Sequence, residues 1–255
     1  MSSPSVVSLF SGVGGLELGI ERWIGAKPAC FVERSPYCRA VLRKHWPDVE
    51  IFDDVRTFDA SRFAGADIVA GGFPCQDVST MGPKTGLDGA RSGLWSEFTR
   101  IIAEVSPRAV INENVAALRT RGLDRVLAGL ADLGFDAAWT TIEGREAGLS
   151  IRRARVFVLA VANGERSQRE SQAWLHDHRA LGHDSHRRDA GLVWPRGEPS
   201  ARADPQPGIH RGADGHAEGL DARRRRERLR CVGNAVAPAQ AALALDLLLD
   251  MLDLG

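Results

Sequence analysis

The chain has 255 residues, 44% hydrophobic and 26% charged, with a formal net charge of zero. That length can bury one sizeable core and a small second lobe. The neutral balance excludes a protein that holds nucleic acid by bulk charge, so any such contact must come from local patches. Four scattered cysteines (Cys30, Cys38, Cys75, Cys231), no C-x-x-C pair, no apolar stretch of membrane length and no leader before "VVSLF" lead to the expectation of a cytoplasmic protein with reduced thiols and no membrane partner.

The first strand-like run, 6–10, continues into "LFSGVGGLELG" (9–19). Gly12, Gly14 and Gly15 let a ligand approach the backbone at the carboxyl end of the strand. The dinucleotide fingerprint G-x-G-x-x-G fails, because Glu17 holds its last position. Glu33 closes the second run (30–33), 21 residues after Gly12, where a carboxylate can accept both ribose hydroxyls; Asp54 in "FDDVR" follows at a third strand end. A nucleoside site without a pyrophosphate cradle suits S-adenosylmethionine better than NAD.

The next run, "ADIVAGG" (66–72), leads into "GGFPCQDVS" (71–79). Pro74 stiffens the backbone before Cys75, which falls on a loop at the carboxyl edge of the sheet, beside the ligand crevice. A deaminase-type zinc site needs H-x-E and a second cysteine three residues on; residue 78 is Val and no H-x-E occurs, so no metal is expected. An inert thiol and a nucleophile both remain open at this point. The glycine-rich stretch 80–93 is expected to be a loop that closes over substrate.

In 94–105, Leu94, Phe98, Ile101, Ile102 and Val105 share one helical face. The run 108–115 carries Glu113 between Asn112 and Asn114, an acid at a sheet edge whose partial burial would raise its pKa toward the working pH. Leu123, Val126, Leu127, Leu130 and Leu133 mark a second helix, stopped by Gly134. In "SIRRARVFVLA" (150–160), Arg153 and Arg155 share one strand face and offer guanidinium forks for phosphates or base edges. Strand–helix alternation predicts an α/β fold: a doubly wound parallel sheet with helices on both faces.

After Ala162 the texture changes. Residues 163–230 hold six of the seven histidines and 14 Arg against 11 Asp plus Glu, or 14 − 11 = +3. A small irregular recognition region and a solvated insertion are both consistent with that. "CVGNAVAP" (231–238) contains a Gly233-Asn234 turn, and 237–254 reads as a closing helix with Pro238 in its first turn. The expected organisation is a catalytic and cofactor-binding domain over 1–162, completed by 231–255.

Together and in this order, these stretches resemble the cytosine-C5 DNA methyltransferases of bacterial or phage type: F-x-G-x-G-G, an acid after strand two, D-V, G-F-P-C-Q, E-N-V, R-x-R and G-N-x-V. The resemblance covers 5–162 and 231–252. It implies a Rossmann-like methyltransferase sheet, S-adenosyl-L-methionine as cofactor, double-stranded DNA as partner, a flipped-out cytosine and a monomer. The family nucleophile matches Cys75, and the acid that protonates N3 matches Glu113. Arg155 matches the arginine that steadies the cytosine carbonyl, with Arg153 beside it. Phe10, Gly12, Gly14, Gly15, Glu33, Asp54, Pro74 and Asn234 match the cofactor side, and Gln76 and Ser79 the substrate loop. One departure is Ile151, where the family carries Gln. Other readings are a methyltransferase acting on RNA or a modified cytosine, a decayed DNA-binding homologue, and a metal module built from His176, His178, His183 and His186.

Overall fold

A computed structural model describes residues 2–74, 93–163, 165–188 and 235–253. Seven strands form one sheet: β1 (Ser5–Leu9), β2 (Lys27–Val32), β3 (Glu50–Phe52), β4 (Ile68–Gly71), β5 (Ala109–Val115), β6 (Phe135–Glu143) and β7 (Ala154–Ala162), in the order β3-β2-β1-β4-β5-β7-β6. The first five pair in parallel; β1, β2, β4 and β5 are almost wholly buried in their centres, while β3 at the edge is half-buried. Coverage on both faces is why their sequences read as apolar runs rather than alternating ones.

The expectation of a wholly parallel sheet needs correction. β7 runs antiparallel to both β5 and β6, and β6 carried no strand signal in the sequence. The reason is exposure. β6 lies at the sheet edge, where Asp136, Trp139 and Thr140 need no apolar cover, so no apolar run marks it. It returns through residues 144–153 into β7, whose apolar centre is inserted between β6 and β5.

Helices cover both faces. On one side α3 (Leu94–Val105) and α5 (Leu123–Asp132) place Phe98, Ile101, Ile102, Val126 and Leu130 against Val7, Val69, Val110 and Val158. On the other, α1 (Gly15–Ile24) and α7 (Pro238–Asp253) place Leu16, Ile20, Ala244, Leu245 and Leu248 against Val6, Ile68, Ile111, Phe157 and Leu159. The alternating strand residues thus divide into two apolar clusters, one on each face. Helix α2 (Pro36–His45) follows β2, with Ser35 accepting from the Cys38 amide and Pro36 in its first turn. The short α4 (Leu118–Arg121) links β5 to α5.

The segment expected to be irregular begins instead with a helix, α6 (Glu165–Arg188). It buries Ser171, Leu175 and His178. It also holds α7 by polar contacts: Gln172 Nε2 donates to the Leu252 carbonyl, His176 Nε2 lies 2.7 Å from Asp253 Oδ2, and Arg179 reaches Asp250 at 2.7 Å. Its low hydrophobicity hid it from periodicity, because these ties are ionic rather than apolar. His178 Nδ1 bonds the Trp174 carbonyl, so His176 and His178 are each engaged within the helical layer. No helix among the described residues is long and apolar enough to cross a membrane.

Candidate active site

The carboxyl ends of β1, β2, β4 and β5 open on one edge of the sheet, where crossover strands leave a crevice. Phe10 leaves β1 with φ of 53°, left-handed for a residue with a side chain, and its ring lies nearly parallel to Phe98 at 6.5 Å. Gly12 follows with φ of 56°, and a Cβ there would meet nothing within 4 Å, so the loop faces open space. Gly14 and Gly15 serve close approach instead: a Cβ on Gly14 would strike the Trp46 ring, and one on Gly15 the Val236 carbonyl.

Half-buried Glu33, just past β2, is pinned by two amides. Gly12 N–H donates to its Oε2 at 2.8 Å, and Ser35 N–H to its Oε1 at 2.6 Å. Burial raises its pKa, and the two amides pull it back down. Each oxygen keeps a lone pair for a further donor. Half-buried Asp54 accepts from the Arg56 amide at 3.0 Å. A pinned carboxylate, an open glycine turn and a partly exposed aromatic ring fit the ribose and adenine of S-adenosylmethionine.

Glu113 is 7% exposed near the end of β5. Its Oε1 lies 2.8 Å from Arg155 Nε, yet the N–H is not aimed at it, so the contact is an ion pair and Oε1 has no hydrogen-bond donor among the described residues. Burial pushes the Glu113 carboxyl up to about 7, against the opposing charges of Arg155 and Arg153. Such a group is part acid and part base at neutral pH. Burial also lowers the pKa of Arg155 and of Arg153, the latter helped by Arg155. Arg153 Nη2 is buried with no partner among the described residues.

The reversal of β7 is what brings these groups together. Arg155 pairs across from Val115, so the start of β7 meets the end of β5. A parallel β7 would have sent Arg155 to the far edge. Alternation then sets Arg155 and Glu113 on the same face, because Glu113 stands opposite Phe157.

Other residues support these groups, and the sequence showed no supporting role for Gln240 or Glu17. Asn112 and Asn114 donate to the Gly71 and Phe73 carbonyls at 3.0 and 2.9 Å, tying the end of β4 to β5. Gly72 leaves room for the acid, since a Cβ there would stand 2.8 Å from Glu113 Oε2. Gln240 of α7 donates to the Ile142 and Arg153 carbonyls at 2.6 and 2.8 Å, fixing the turn that carries Arg153. Ile151 packs over Gly144, where a Cβ would collide with its side chain. Glu17, 2% exposed on α1, bonds Ser8 and is pushed by burial up to about 7. The available signal for Glu17 was an acid in the apolar stripe of Leu16, Ile20 and Ile24.

Pro74, exposed, marks the end of the described β4 exit. Cys75, Gln76, Ser79, the loop 80–92 and Asn234 lie outside the described residues. Of the other thiols, Cys30 and Cys38 are buried, and burial pushes Cys30 up to about 12, which makes it inert.

Comparison with known proteins gives a consistent picture. Type II methyltransferase M2.BsuMI of Bacillus subtilis (strain 168) is 39% identical over 163 residues, 61% of this chain and 41% of that protein. Type II methyltransferase M.Eco47II of Escherichia coli is 32% identical over 166 residues, 62% of this chain and 40% of that protein. A crystal structure of a prophage-encoded protein assigned as a DNA modification methyltransferase (E. coli) superposes with a TM-score of 0.52 at 26% identity, covering 63% of this chain and 47% of that one. The chain therefore spans about two fifths of the length of the curated relatives it matches. The sequence profile of the C-5 cytosine-specific DNA methylases matches residues 5–188, from the first strand through α6, and the chain belongs to that family.

Proposed function

We propose that this protein is a DNA (cytosine-5-)-methyltransferase that acts as a cytoplasmic monomer on double-stranded DNA, with S-adenosyl-L-methionine as methyl donor. The observation that carries the reading is the Glu113–Arg155 pair beside the β4 exit, with the acid held near neutral pKa by burial. Phe10, Gly12, Glu33 and Asp54 would hold the cofactor, which supplies an electrophilic methyl group on a sulfonium.

Cytosine C5 is too weak a nucleophile to take that methyl unaided. The Cys75 thiolate adds to C6 while Glu113 gives its proton to N3, and the ring becomes an enamine with electron density at C5. Arg155 and Arg153 place positive charge beside the ring carbonyl as electrons move toward it. After C5 is methylated, its proton leaves to a base, N3 returns its proton to Glu113, and the C6–S bond breaks to restore the thiolate. A free thiol near pKa 8.5 is only about a few per cent ionised at pH 7, so turnover requires surroundings that favour the thiolate. A decayed homologue has no need to keep an acid and an arginine buried beside a second, half-buried arginine, since their burial costs stability.

The test is incubation with tritiated S-adenosylmethionine and duplex DNA, followed by mapping of the modified base, with RNA in parallel. DNA carrying 5-fluorocytosine should trap a covalent complex on Cys75, because fluorine cannot leave as a cation. Label on RNA alone, or an adduct on another cysteine, would overturn the reading.

A further inference from the structure

Glu17, Ser8 and Ser11 form a chain of buried oxygens beneath the glycine turn. Ser8 Oγ lies in hydrogen-bond contact with Glu17 Oε1 and 2.6 Å from Ser11 Oγ; Ser11 Oγ lies 3.1 Å from the Ser8 carbonyl and 3.5 Å from that of Val32. A carbonyl only accepts, and Ser11 donates to that of Ser8. Ser11 then accepts from Ser8, whose single proton is thereby used. Three links need three protons and the serines supply two, so the third sits on Glu17.

The surroundings agree. Glu17 Oε2 is buried with no hydrogen-bond partner among the described residues, a position costly for an anion and cheaper for an acid. The charged groups acting across this region are Glu33 beyond β2 and Glu113 on β5, both acids that oppose a third negative charge. The α7 face toward α1 is apolar, with Ala241, Ala244 and Leu245.

What the chain holds is the turn. Phe10 keeps a left-handed backbone, which persists only where the surrounding structure fixes it. Ser11, the residue after Phe10, is tied to β2 by its amide, which donates to the Val32 carbonyl at 3.4 Å, and Gly12 then reaches Glu33. We propose that Glu17 is a positioning residue for the cofactor: as the neutral acid, it completes a hydrogen-bond chain through Ser8 and Ser11 that holds the Phe10–Gly12 turn against Glu33. The inference rests on the assignment of that turn to S-adenosylmethionine.

The experiment measures binding of S-adenosylmethionine and S-adenosylhomocysteine by calorimetry for the full chain and for Glu17→Gln, Glu17→Met and Ser8→Ala, with thermal denaturation alongside. The Gln amide donates to Ser8 as the acid does, so Glu17→Gln should bind both ligands within about threefold of the unchanged protein. Glu17→Met and Ser8→Ala break the chain and should weaken both ligands equally, by about tenfold, a loss of hydrogen-bonded positioning. Glu17→Met should do so without losing thermal stability, since it removes an unpartnered buried oxygen; should it fail to fold, Ser8→Ala carries the test. Weakening of the cationic ligand alone in Glu17→Gln would show that Glu17 acts as an anion and would overturn the proposal. Normal binding by Glu17→Met or Ser8→Ala would overturn it too. An unchanged protein that binds neither ligand would sink the cofactor assignment itself, and the inference with it.

Discussion

Gly72→Ala puts one methyl group where Glu113 leans over the end of β4. The added Cβ would stand 2.8 Å from Glu113 Oε2 and 2.9 Å from the Glu113 carbonyl, while ordinary contact begins at 3.4 Å. The carboxyl must therefore yield by 3.4 − 2.8 = 0.6 Å. The carbonyl cannot move to share the strain, because β5 is fixed between β4 and β7. Overpacking of this kind costs about 1–3 kcal/mol. A misplacement near 1 Å costs roughly 100-fold in rate, so a shift of this size should lower kcat by roughly 10- to 30-fold. Cofactor affinity should stay unchanged, since Gly72 does not touch the Phe10–Gly12 turn. Tritium transfer to duplex DNA gives kcat, calorimetry gives the cofactor Kd, and urea unfolding gives stability. A variant with wild-type kcat would refute the claim that the space over Gly72 sets the place of Glu113.

Glu33→Ala should weaken S-adenosylmethionine by about 1–3 kcal/mol, the scale of lost charge-assisted hydrogen bonds; unchanged affinity by calorimetry would remove Glu33 from the cofactor site. Stability should also depend on pH through Glu17 and Glu113. Both carboxyls rise from 4.5 to about 7 on folding, so the folded state binds their protons more tightly. The stability each contributes is present in full below the unfolded value and is lost as pH climbs from 4.5 to about 7. The upper bound is about 3 kcal/mol for each group. Melting curves should show a higher midpoint at pH 5.5 than at pH 8, with a smaller difference in Glu113→Gln; identical slopes in both proteins would argue against a raised Glu113.

The sequence made most of the sheet legible because five strands are covered on both faces, and complete burial leaves an apolar run. Glu113 and Arg155 were legible too, since charged groups at the ends of such runs stand out. β6 and α6 were not. One is an edge strand with Trp139 and Thr140 exposed or half-exposed, and the other is held by Arg179 and His176 to acids on α7, contacts that leave no periodic apolar signature. The antiparallel sense of β7 was hidden for a different reason: an apolar run carries no direction. Gln240 was missed because its value lies in which distant carbonyl it meets, 98 residues away for Ile142.

The place of α7 bears on how the protein is made. It supplies the apolar cover for Leu16, Ile20, Phe157 and Leu159, and Gln240 fixes the Arg153 turn, yet it follows β7 only after a long stretch of chain. Between the end of β7 at Ala162 and the end of α7 at Asp253 lie 253 − 162 = 91 residues. At ~5–20 residues per second, that interval lasts roughly 5–20 s. Through that time α1 and the β7 part of the sheet face would lack the apolar cover of α7. Nascent chains should therefore engage a holding chaperone during that interval, and the arginine turn of the site would set only once α7 has docked.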